Sequence, residues 1–64
     1  MRTSNGDVER AIQHCQRHIE RNRAELERRE GSGQDVTRLR ERLKTLQMLR
    51  SEHEAERARL RAAR

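Results

Sequence analysis

The tripeptide Gly31-Ser32-Gly33 divides a chain of 64 residues, and the apolar spacing on either side of it limits what the chain can become. Before the break, Val8, Ile12, Cys15, Ile19 and Leu26 recur at steps of three, four or seven. After it, Val36, Leu39, Leu43, Leu46, Leu49, His53 and Leu60 do much the same. Residues so spaced line one face of an α-helix. A short break between two such segments folds the second back on the first, so the expected class is all-α, an antiparallel two-helix hairpin. A single hairpin over residues 1–64 is expected, with helix one over about 5–30, a turn at 31–34 and helix two over about 35–62.

Composition then decides whether such a hairpin stands alone. Only 30% of residues are hydrophobic, none is aromatic and 42% are charged, which approaches the disordered class. The absence of Pro and the predominance of Ala, Glu, Leu, Arg and Gln favour long helices instead. Two thin stripes bury too little to offset the ordering of both helices. Pairing of two hairpins into a four-helix bundle supplies the missing burial, so a homodimer is expected, held by Ile12, Cys15, Ile19, Leu26, Leu39, Leu43, Leu46, Leu49 and Leu60. Ala11, Ala24, Met48, Leu49 and Ala55 are expected to widen the stripes.

Local signals set the ends. Ser4 followed by Asp7 approximates a capping box, and Asp7 can equally be the cap itself. Gly31 is expected to take the left-handed conformation that ends helix one, and Asp35 to cap helix two. Antiparallel folding sets Leu26 near Leu39, Ile19 near Leu46 and Ile12 near His53. Asn22, Arg50 and His53 interrupt the apolar seam, and a buried Asn is able to fix register.

The one group with ligand chemistry is His14, Cys15, His18 and His53. His14 and His18 stand four apart and reach a common point on a helix. Cys15 projects about 100° away from His14, onto the apolar stripe where a free thiol acts as a small hydrophobe. No metal or cofactor is therefore assigned. A nucleophilic Cys15 would need an oriented base in a sheltered cleft, which two thin helices do not offer, and no carboxylate is isolated in an apolar setting. No enzyme is expected.

The net charge of +5 raises a nucleic-acid reading. Seven basic residues face six acidic ones through Glu30, and nine face five thereafter, so the excess falls on helix two. Arg38, Arg42, Lys44, Arg57, Arg61 and Arg64 are the candidate phosphate contacts. Base stacking would need aromatic side chains that the chain lacks. Interleaved acids, and an arginine bias that a GC-rich genome produces unaided, leave a solvated surface as the simpler reading.

The stretches Gly33-Gln34-Asp35-Val36-Thr37, Leu43-Lys44-Thr45-Leu46 and His53-x-x-x-Arg57-x-Arg59-Leu60, with His18-Ile19-Glu20-Arg21 upstream, resemble a family of short alphaproteobacterial hypothetical proteins of helical-hairpin type. That family has no established activity, so the resemblance implies a fold and no site. In length and layout the chain is also similar to the Rop-type RNA-binding hairpins, which pair into antiparallel four-helix bundles. That likeness implies dimerisation only. No apolar run approaches the roughly 20 residues of a membrane span, and no signal-peptide core follows Met1. The expectation is a cytoplasmic, self-associating interaction module that also presents a face to another protein; a basic nucleic-acid-binding regulator is the alternative.

Overall fold

The computed structural model describes residues 5–63, so the capping role of Ser4 and the terminal Arg64 lie outside the described residues. Two helices fill it: α1, Asn5–Gly31, and α2, Thr37–Ala62. They pack against each other as an antiparallel hairpin, and no strand occurs among the described residues. Asp7 in the first turn of α1 and Arg28 and Arg29 in its last complement the helix dipole. Arg10 pairs with Asp7 at 3.1 Å, and Glu25 accepts from Arg29 at 2.7 Å and pairs with Arg28 as well. Such exposed pairs each add a few tenths of a kcal/mol at about neutral pH.

The core is lopsided. Val8, Ile12, Cys15 and Ile19 of α1 are buried, whereas Leu39 is the buried apolar residue of α2. Leu26, Leu43, Leu46 and Leu60 are half-buried. At about 100° per residue the α1 stripe stays within a narrow sector. The α2 apolar residues scatter instead. Leu39 and Leu46 share the centre line with Arg57, Leu43 and Arg50 fall to one side, and Leu49, His53 and Leu60 to the other. Met48 turns almost directly away and is 59% exposed. Ala24 and Ala55 are exposed too. These three therefore do not widen the seam, contrary to the sequence expectation, because helical rotation carries them to the outer surface.

The turn also corrects the expectation. Gly31 remains helical, and Gly33 takes the left-handed conformation at φ 73°. The amide of Gln34 donates to the Arg29 carbonyl at 3.0 Å and that of Gly33 to Glu30 at 3.1 Å. Together these form a Schellman motif with Gly33 as its left-handed residue. The motif uses up residues through Gln34, so α2 begins at Thr37 rather than 35. Asp35 still serves the start of α2 from outside it. Its carboxylate accepts the Thr37 amide at 3.0 Å and the Thr37 hydroxyl at 2.7 Å.

Ion pairs tie the helices near both ends. Arg40 donates to Glu30 at 2.5 Å beside the turn, and Arg57 to Glu9 at 3.2 Å at the open end. The molecule is a rod of 50 × 19 × 15 Å. It exposes 5370 Å², whereas a compact monomer of its mass exposes about 4,300 Å².

Candidate interaction surface

Residues offset the same way round from the seam on two antiparallel helices share one broad face of the hairpin. The two faces differ in chemistry. One is laced by charge: Glu9 meets Arg57 at 3.2 Å and Arg61 at 3.7 Å, Glu30 meets Arg40, and Arg50 lies 3.7 Å from Glu54. The other carries Ala11, His18 and Asn22 of α1 beside Arg38, Arg42, Leu49, His53 and Leu60 of α2. Leu49 is 40% exposed there, and Ala11, His18, Asn22, His53 and Leu60 are half-buried. Near the turn this face opens into a groove of about 420 Å³ lined by Asn22, Glu25, Arg29, Arg38, Leu39 and Arg42.

The residues expected at an interface divide accordingly. Ile12, Cys15, Ile19 and Leu39 are spent inside the hairpin. Leu26, Leu43, Leu46 and Leu60 retain exposed area, and Leu49 is open. Asn22 does not reach across the seam. Its amide donates to the His18 carbonyl of its own helix at 2.7 Å, so it is satisfied locally. Arg50 occupies a seam position with its Nε buried and without a hydrogen bond among the described residues. The Glu54 carboxylate at 3.7 Å supplies charge but no bond.

The cations expected to contact phosphate are dispersed. Arg38 and Arg42 stand together at the groove, Lys44 sits on the outer surface with Gln47, Met48, Ser51 and Glu52, and Arg57 and Arg61 are drawn to Glu9. A different basic row is built by α1. Arg10, Arg17, Arg21 and Arg28 are exposed and follow one line along the surface of α1 away from the seam. Summing charge by half-chain hides this row, because α1 is nearly neutral overall and sorts its charges by direction. The spacing of seven, four and seven was the available signal.

The ligand-bearing group also breaks up. His14 and His18 meet edge to face with their Nε2 atoms 3.1 Å apart and ring centroids 4.4 Å apart. Cys15 is buried in the seam, and His53 belongs to α2. No group of three or more His, Cys, Asp or Glu side chains among the described residues is arranged to hold a metal ion. No described helix is long and apolar enough to cross a membrane. The chain matches no protein-family model, no curated protein and no solved structure.

Proposed function

We propose that the chain is a small protein-interaction module without catalytic chemistry, whose first partner is a second copy of itself. The observation that carries this reading is surface area. The rod exposes about 1,000 Å² more than a compact monomer of its mass, close to the ~800 Å² that each partner of a stable pair buries. The face bearing Ala11, Leu49 and Leu60 is the one free of cross-helix ion pairs among the described residues, and it suits this role. Arg38 and Arg42 lie near one end of that face and Glu56 near the other. A two-fold partner running the opposite way brings these charges together. The product is a four-helix bundle, and a cytoplasmic setting belongs to the same proposal.

Sedimentation equilibrium of the wild type and Leu49→Glu tests it. The wild type should give a dimer, and the variant a monomer or a dimer at least tenfold weaker. Charge introduced at an exposed position of the hairpin costs little unless that position becomes buried. A wild-type chain that melts cooperatively yet stays monomeric at millimolar concentration overturns the proposal.

Phosphate binding is a second reading, favoured by the outward row Arg10, Arg17, Arg21 and Arg28 on α1, of which Arg10 pairs with Asp7 and Arg28 with Glu25 along the same helix while all four stay exposed. Phosphate contact requires cations alone, and this row stays exposed when the opposite parts of the hairpin pair.

A further inference from the structure

We propose that His14 and His18 form a two-ligand site for a divalent first-row transition-metal ion. Imidazole nitrogens bind such ions at about 2.0–2.1 Å. Two nitrogens 3.1 Å apart then subtend about 98° at a shared ion. That angle lies between the 90° of a square or octahedral site and the roughly 109° of a tetrahedral one. The spacing comes from one helical turn of α1, so the two rings are already held together before any ion arrives. Water fills the remaining positions, which makes the site exchangeable rather than structural.

Proton accounting is simple for neutral rings. The Nε2···Nε2 contact requires one Nε2–H, and that ring moves its proton to Nδ1 when the ion takes both Nε2 lone pairs. No net proton is released. Arg17 and Arg21, exposed one turn away, oppose the charge of the ion. This selects for ions with strong imidazole affinity, nickel, copper and zinc, and against magnesium and calcium. Because the pair is assembled only while α1 is helical, binding stabilises the fold.

Nickel chloride is the probe, since cupric ion would also oxidise the Cys15 thiol. Thermal melting of the untagged full chain should shift upward by about 5–10 °C at nickel tenfold above its dissociation constant. His14→Gln and His18→Gln should each remove the shift while leaving helix content close to the wild type, because Gln is a good helix former. His14 is exposed and is not on the face proposed to pair, so His14→Gln should also leave the metal-free melt close to the wild type. His53→Gln should keep the shift, and magnesium chloride should produce none. No shift at millimolar nickel, or one that survives either glutamine variant at position 14 or 18, overturns the site.

Discussion

Gly31 and Gly33 have the same side chain and opposite needs. A Cβ at either position meets nothing within 4 Å, so space does not separate them. Backbone conformation does: Gly33 is left-handed, Gly31 helical. Gly33→Ala should cost about 1–2 kcal/mol, the penalty of a Cβ at positive φ. Gly31→Ala should add about 0.5–1 kcal/mol by restricting the unfolded chain. Thermal melts of the two variants check the opposite signs. Asp35 offers a pH test at the same scale. The Thr37 hydroxyl, and secondarily the Thr37 amide, hold its carboxyl below the ordinary 3.8. A depressed folded pKa stabilises above the unfolded value and ceases to do so as pH falls through the folded one. Melts of the wild type and Asp35→Ala should therefore differ at pH 7 and converge as the pH drops below about 4. The break was legible from Gly31-Ser32-Gly33, but which glycine turns left-handed was not. Both suit a C-terminal cap, and the choice rests on which carbonyls of the last turn are satisfied by which amides.

At the scale of the helices, α1 was readable because Val8, Ile12, Cys15 and Ile19 fall within one narrow sector and have no competitor. α2 was less so. Its leucines repeat at helical steps, yet Arg50, His53 and Arg57 share the same sector, and spacing alone does not reveal how far each leucine is covered. Met48 looked like an added core residue by type and lies outside by rotation. Arg50 is the most evident defect of the seam, since its buried Nε lacks a bonded partner among the described residues. Arg50→Leu should raise stability by about 1–2 kcal/mol, through apolar burial and removal of an unsatisfied donor. Urea titration should show a higher midpoint for this variant with an unchanged slope. A lower midpoint would mean that the Arg50 stem and Glu54 contribute more than the donor costs.

For the whole molecule, stability depends on how much of the 50 × 19 × 15 Å rod remains exposed. The hairpin follows from two amphipathic segments and a short break, and the sequence could be read that far. The candidate site could not be read so well. The arginines of α2 looked like one basic surface and are divided among the groove, the outer surface and the Glu9 pairs, while the row on α1 was concealed by its neighbouring acids. A second copy is the proposed partner for the open face of Leu49 and Leu60. The most direct test is thermal melting over a hundredfold range of protein concentration. If the fold depends on pairing, the Tm should rise by about 10 °C across that range, because association adds a concentration term to stability. A Tm that does not change with concentration would contradict the central claim and make the bare hairpin the folded unit.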